Sequence, residues 1–178
     1  MNHPIAEELK QSIRLVPDFP KAGITFYDIT TLTQNGPLFN KVIDVFYERY
    51  KSLNIDAVAG LESRGFIFGA PLATKLGVSF VPVRKPGKLP AETISASYDT
   101  EYSTDSLEIH RDSLKPGDRV VIADDLLATG GTASSAIKLV HTLNAEVIEC
   151  AIVIELVNLN GRNKLGDTPI MSLLNCDG

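Results

Sequence analysis

Thirteen consecutive residues, Val120-Val121-Ile122-Ala123-Asp124-Asp125-Leu126-Leu127-Ala128-Thr129-Gly130-Gly131-Thr132, constrain this chain more than any other stretch. The four apolar residues that open the run read as a buried parallel strand. Two adjacent carboxylates stand where that strand is expected to end. A loop of small residues, Ala128 to Thr132, then leads into a helix. Free backbone N–H groups at a helix start bind phosphate, and the hydroxyls of Thr129 and Thr132 can add donors. The carboxylates would repel the same phosphate, so they suit a neutral polyol, such as the vicinal hydroxyls of a ribose. A phosphate pocket beside a diol pocket describes a ribose 5-phosphate site. A purely structural reading also exists, because acidic pairs occur at strand ends and Gly-Gly before a helix can be only a turn. Two other phosphate loops are excluded: no Lys follows the glycines, as a Walker A loop needs, and no G-x-G-x-x-G occurs.

With 178 residues the chain is expected to form one domain with a real core. Hydrophobic residues make up 44% and charged residues 22%, which separates it from disordered chains. No apolar run approaches the ~20 residues of a membrane span, and Met1-Asn2-His3-Pro4 lacks a signal-peptide pattern. A cytoplasmic protein without membrane attachment is therefore expected. Cys150 and Cys176 lack metal-ligand spacing and read as thiols, with a disulfide between them left open. His3, His110 and His141 are scattered and read as structural or surface residues. The formal charge of −5 argues against a nucleic-acid partner. An anion site must then be locally basic, which screening over about 8 Å permits. The densest basic cluster is Arg84-Lys85-Pro86-Gly87-Lys88, three cations in five residues.

Along the chain, helical patterns are expected over about 5–14, 37–50, 65–76 and 131–143. Strands are expected at 57–60, 78–83, 119–123 and 146–156, and residues 16–33 read as loop and short strand. Alternating strands and helices imply an α/β fold, a parallel sheet flanked by helices on both faces. Ligands bind such sheets beyond the carboxyl ends of the strands. Each candidate loop (61–65, 84 onward, 124–132) follows a strand. Residues 84–117 interrupt the alternation. Alternating side chains at 93–98 and 106–110 suggest a hairpin. So long a connection is either a functional lid or a surface decoration, and its basic root favours a lid.

The order and spacing of several further segments resemble one family over nearly the whole chain. They are Pro17-Asp18-Phe19-Pro20-Lys21-Ala22-Gly23-Ile24-Thr25-Phe26-Tyr27-Asp28-Ile29-Thr30, Leu61-Glu62-Ser63-Arg64-Gly65-Phe66, Arg84 to Pro90, Glu101-Tyr102, Leu107-Glu108-Ile109 and the run described first. Together they resemble the adenine phosphoribosyltransferases, within the type I phosphoribosyltransferases. The resemblance implies a small N-terminal hood at about 15–35 joined by the C-terminal segment, and a lid at about 84–117. It implies transfer of a phosphoribosyl group from phosphoribosyl diphosphate (PRPP) to adenine, giving AMP and pyrophosphate. It further implies Mg²⁺ held mainly by PRPP with no direct protein ligand, and a homodimer in which Arg84 can reach the neighbouring subunit.

The resemblance also distributes roles. Ala128, Thr129, Gly130, Gly131 and Thr132 take the 5-phosphate. Asp124 and Asp125 hold the ribose hydroxyls and favour positive charge at C1. Arg64, Arg84, Lys85 and Lys88 face pyrophosphate, although each lysine alone could be a solvated surface residue. A cis peptide is implied between Glu62 and Ser63. Glu101 is placed near adenine N7 as general acid or base, or is an ordinary exposed loop residue, and Tyr102 packs in the closed lid. Adenine is expected between Phe26 and Leu156, its edge read by backbone groups of Thr25 and Tyr27. Family members often carry Arg where Tyr27 stands, and Gly is frequent where Ser103 stands. Two alternatives are transfer to a 6-oxopurine, for which no Lys stands among the adenine positions Thr25, Phe26, Tyr27 and Leu156, and a PRPP-sensing regulator. A regulator of that kind usually adds a nucleic-acid-binding surface, which the charge does not support.

Overall fold

The computed structural model describes residues 3–99 and 104–177. The chain begins with helix α1 (Ala6–Ser12) and two short strands, β1 (Arg14–Val16) and β2 (Phe26–Asp28), paired antiparallel. Helices α2 (Thr30–Gln34) and α3 (Gly36–Tyr50) follow. Next come β3 (Ala57–Leu61), α4 (Gly65–Leu76) and β4 (Ser79–Val83), then a hairpin of β5 (Thr93–Asp99) and β6 (Thr104–His110). The chain closes with β7 (Arg119–Leu127), α5 (Gly131–Thr142), β8 (Glu146–Leu156), two 3-10 turns (Val157–Leu159 and Gly161–Lys164) and β9 (Ile170–Cys176).

The expected α/β pattern is realised as a five-stranded parallel sheet in the order β4-β3-β7-β8-β9. Every residue of β3 is buried, as a strand covered on both faces requires. Val58, Val121 and Ala123 pack into one core with Phe46 of α3 and Phe68 and Leu72 of α4. Ala57, Ala59, Val120 and Ile122 pack into the opposite core with Ala136, Leu139 and Val140 of α5. Local chemistry sets the helix ends. The Asn35 side chain accepts the Leu38 N–H at 3.2 Å and caps α3, with Pro37 in its first turn. Gly77, at φ 71°, closes α4 in the left-handed conformation. Among the described residues no helix is long and apolar enough to cross a membrane, and both cysteines are free thiols.

Three differences from the sequence expectations have physical causes. Strand β7 does not stop at Ala123 but runs through the acidic pair to Leu127. The long partner β8 sustains it, pairing Leu127 with Glu155. The first helix, expected to reach about residue 14, stops at Ser12, so that Arg14 joins β1; and residues 30–33, expected within a stretch of loop and short strand, belong to α2. Asp28 accepts the Thr30 N–H at 2.9 Å and starts that turn. The C-terminal segment, expected to join the hood, forms the edge strand β9 of the main sheet and meets the hood just beyond it, where the Tyr27 hydroxyl donates to the Asp177 carbonyl at 2.9 Å.

The hairpin is anchored at its root. Arg84 and Glu108 exchange backbone bonds of 2.9 and 2.7 Å, and Leu107 and Ile109 are buried in the core. The fully buried Ser135 of α5 donates its hydroxyl to the Ala96 carbonyl at 2.7 Å. Ser135→Ala should cost about 1 kcal/mol, lowering the melting temperature by roughly 2–4 °C. Amide exchange across residues 93–99 should quicken while that of β7 and β8 stays slow. Unchanged exchange in the hairpin would show that this bond does not fasten it.

Candidate active site

Strands β3 and β7 lie side by side, but the chain leaves them in opposite directions, toward β4 and toward β8. Loops that diverge from adjacent carboxyl ends leave a crevice between them. The crevice holds a pocket of about 230 Å³ lined by Glu62, Ser63 and Arg64 on one side and by 124–130, Thr132 and Ala133 on the other. Two of the three loops singled out from sequence thus meet in one cavity.

The Glu62–Ser63 peptide is cis, as the resemblance implied. It leads into Arg64 at the head of α4. The Arg64 Nε lies 3.1 Å from the Asp125 Oδ2, and Asp125 is only 2% exposed. Gly65 makes this approach possible. A Cβ there would lie 2.5 Å from the Ala123 carbonyl oxygen and 3.0 Å from the Asp124 Oδ1. Among the described residues Arg64 Nη1 is buried without a hydrogen-bond partner, so a cationic donor in the pocket wall is left unused. The half-buried Asp124 accepts the Asp125 N–H at 2.9 Å through Oδ1. Burial pushes both carboxyls above their ordinary range. The charge of Asp125 pushes Asp124 further, whereas Arg64 opposes the rise at Asp125. Asp125 is therefore the more easily ionised of the pair.

The small-residue loop crosses the pocket floor. Gly130 sits at φ 79° and caps α5, whose first-turn N–H groups have no intrahelical acceptors. Gly130, Thr129 and Thr132 line the cavity, and the positive end of α5 opens into it. The arrangement suits a monoanionic or dianionic head group, with the acid pair beside it as acceptors for hydroxyls.

Two of the three cations of the basic cluster are already partnered. Arg84 forks onto Glu62 through Nε and Nη2, both at 3.2 Å, and its Nη1 donates to the Lys88 carbonyl at 3.2 Å. The Lys85 N–H reaches Glu62 at 2.8 Å, and Lys85 Nζ lies 3.3 Å from Asp105. Burial would raise the Glu62 carboxyl, but the Lys85 N–H and the Arg84 fork outweigh it and hold the group below its ordinary range. Asp105 also accepts from the Tyr98 hydroxyl at 3.1 Å. Lys88 has no ion-pair partner among the described residues.

In the hood, the Phe26 ring lies under the Arg64 guanidinium at 5.1 Å and meets Phe19 edge-on at 5.2 Å. Phe26 therefore faces the site. The neighbouring Tyr27 side chain points the other way, as strand alternation requires, into a separate pocket with Lys10, Cys176 and Asp177. Burial there, with Cys176 and Asp177 nearby, pushes its phenol up to about 12. Thr25 is exposed, and Leu156 is buried at the end of β8. Glu101 and Tyr102 lie outside the described residues.

The sequence assigns no role to the side chains of Glu62, Tyr98 and Asp105, although all three organise the cations or the hairpin. Glu62 carries a local signal, an acid within the Leu61–Gly65 turn. Tyr98 and Asp105 carry none, because only the cross-strand register brings them opposite one another. Among the described residues no group of three or more His, Cys, Asp or Glu side chains is placed to hold a metal ion.

The acid pair makes stability depend on pH in a definite direction. A carboxyl whose pKa is raised on folding keeps its proton longer in the native state, so stability falls as pH climbs from about 4 toward the raised value. Asp124→Asn retains an acceptor for the Asp125 N–H and cannot ionise. The variant should melt roughly 3 °C or more above the parent at pH 8, and the gap should close as pH falls toward about 4. Melting curves across that range check this. A gap that widens in acid would contradict the raised pKa.

Comparison with known proteins agrees with the geometry. Residues 28–173 match the phosphoribosyl transferase domain family. An adenine phosphoribosyltransferase of Clostridium botulinum is 55% identical over 96% of this chain and 99% of its own. The crystal structure of adenine phosphoribosyltransferase from Thermoanaerobacter pseudethanolicus superposes with a TM-score of 0.93 at 52% identity, covering 96% of this chain and 99% of that one. The Saccharomyces cerevisiae enzyme, crystallised with adenine and an imino-altritol bisphosphate, gives a TM-score of 0.90 at 46% identity over 95% of this chain and 98% of that one. The chain belongs to the adenine phosphoribosyltransferase family.

Proposed function

We propose that this protein transfers the phosphoribosyl group of PRPP to adenine, releasing pyrophosphate and AMP, in purine salvage. The observation that carries the reading is the single pocket that joins the unpartnered Arg64 Nη1, the acid pair and the Ala128–Thr132 loop. PRPP has a terminal phosphate, a diol and a diphosphate, and the pocket has a complementary group for each. The loop takes the 5-phosphate. Asp124 and Asp125 accept the ribose hydroxyls.

As the bond from C1 to the pyrophosphate oxygen breaks and adenine N9 bonds to C1, positive charge builds on the sugar. Carboxylates placed beforehand stabilise it more than they stabilise the ground state. Arg64 offers its free nitrogen to the leaving group, and Arg84, Lys85 and Lys88 add positive charge around it. Arg84 and Lys85 reach pyrophosphate by exchanging Glu62 and Asp105 for the substrate anion. Adenine lies between Phe26 and Leu156, with backbone groups of Thr25 and Tyr27 reading its edge. The Tyr27 side chain, bonded toward Asp177, takes no part. Glu101, through the lid, accepts the N7 proton as N9 attacks.

A divalent ion accompanies this chemistry. Two adjacent carboxylates in a pocket without nitrogen or sulfur ligands suit a hydrated hard cation carried by substrate oxygens. When bound, Mg²⁺ would neutralise pyrophosphate charge, held mainly by PRPP and helped by Asp124 or Asp125 only through water. We read residues 1–178 as one catalytic domain with hood and lid, acting as a homodimer in the cytoplasm.

The purified protein should form AMP from adenine and PRPP with Mg²⁺ present and leave hypoxanthine essentially untouched. Comparable rates on both bases would overturn the assigned specificity. Glu101→Gln should slow turnover by ~10²-fold or more while PRPP affinity stays near that of the parent. Asp125→Asn should likewise lower kcat far more than PRPP affinity, since its charge acts on the transition state. Equal losses of rate and affinity in both variants would reject these roles.

A further inference from the structure

The phosphate loop is shaped from behind. After β8 the chain makes two 3-10 turns and places Gly161 against the rear of residues 128–130. A Cβ on Gly161 would lie 2.2 Å from the Ala128 carbonyl oxygen and 3.1 Å from the Gly130 nitrogen. In the reverse direction, a Cβ on Gly130 would lie 2.3 Å from the Gly161 carbonyl oxygen. Both separations are far inside van der Waals contact. Two backbones thus lie against each other with no side chain between them, and neither tolerates even a methyl group.

Gly161 is held by the residue that follows it. Arg162 forks onto Glu155 through Nε and Nη2, both at 2.5 Å, and Glu155 is only 4% exposed. The same Nη2 donates to the Ser172 hydroxyl at 3.2 Å, and that hydroxyl donates to Asn175 Oδ1 at 2.7 Å. Glu155 belongs to β8, and Ser172 and Asn175 to β9, so the anchor rests on two strands of the main sheet. Glu155 is also the register partner of Leu127, the last strand residue before the loop. Ion pair and loop are therefore referenced to the same point of the sheet.

We infer that Gly161, anchored by the Arg162–Glu155 pair, is a positioning residue that fixes the backbone of the Ala128–Thr132 loop for phosphate. Neither Gly161 nor Arg162 lines the pocket, so both act through the loop. The loop's backbone N–H groups, unlike the hydroxyls of Thr129 and Thr132 beside them, cannot adjust a rotamer to recover a lost contact. In catalysis, displacement by about 1 Å costs on the order of 10²-fold in rate.

The inference rests on reading this loop as the 5-phosphate site, and the test separates the two. AMP is titrated calorimetrically into Gly161→Ala, Arg162→Lys, Arg162→Met and the loop variant Thr129→Ala/Thr132→Ala, with thermal midpoints measured on each. Arg162→Lys keeps the charge without the fork, and it supplies the test should Gly161→Ala fail to fold. Gly161→Ala and Arg162→Met should bind AMP at least tenfold more weakly at a stoichiometry near one, with Arg162→Lys between them and the parent. Parental affinity in the Gly161 and Arg162 variants alongside weak binding by the loop variant would overturn the inference and keep the loop reading. Parental affinity in the loop variant would overturn the loop reading itself. Lower stoichiometry at unchanged affinity would mark a purely structural role and also overturn the inference.

Discussion

A carboxylate at 2% exposure needs a cation beside it, and for Asp125 that cation is Arg64. Much of the site's arrangement follows from this pair. Removing a charge from water costs several kcal/mol, and the mutual attraction of a close pair offsets it. The pair forms because α4 begins hard against β7, and α4 can do so because residue 65 has no side chain to strike the Ala123 carbonyl. The same contact leaves one Arg64 nitrogen pointing at no acceptor. A single ion pair thus fixes a carboxylate for the sugar and holds a guanidinium ready for an anion.

The remaining cations follow a different logic. Arg84 and Lys85 are exposed to a protein of net charge −5 and are neutralised by Glu62 and Asp105. Glu62 is itself held ionised by the groups it binds. These pairs are partly solvated, so each contributes little to stability. Weak pairs can be exchanged for a diphosphate at low cost, whereas the buried Arg64–Asp125 pair cannot. The site therefore combines a fixed half, built on β3, β7 and α4, with an exchangeable half at the root of the hairpin.

The parts legible in the sequence are those determined by short-range pattern. The buried strand, the acidic pair, the small-residue loop and the α5 stripe are contiguous in the chain, and each carries its own chemical signal. The sheet and its flanking helices follow from the period of the apolar residues. What was not legible depends on pairing between distant segments. Strand β9 follows the turn residues Gly166 to Pro169, but its burial does not alternate along the strand, and pairing with β8 is what identifies it. The extension of β7 through two acids contradicts local propensity and is sustained by β8. Tyr27 reads as a hood residue in both views, but only the strand register shows that its side chain turns away from Phe26 and the pocket.

The glycines make the same point about how a site is encoded. Gly65 and Gly130 fall inside recognisable stretches, yet their role is not conformational freedom alone. Each is small because another backbone occupies the space a Cβ would take, the Ala123 carbonyl in one case and the Gly161 carbonyl in the other. Such contacts need no particular side chain, so no residue pattern announces them. They nevertheless set the distances at which Arg64 meets Asp125 and the α5 N-terminus meets an anion. Electrostatic complementarity to a phosphorylated sugar is written in the charged residues. The precision with which that complementarity is delivered resides in places where side chains are absent.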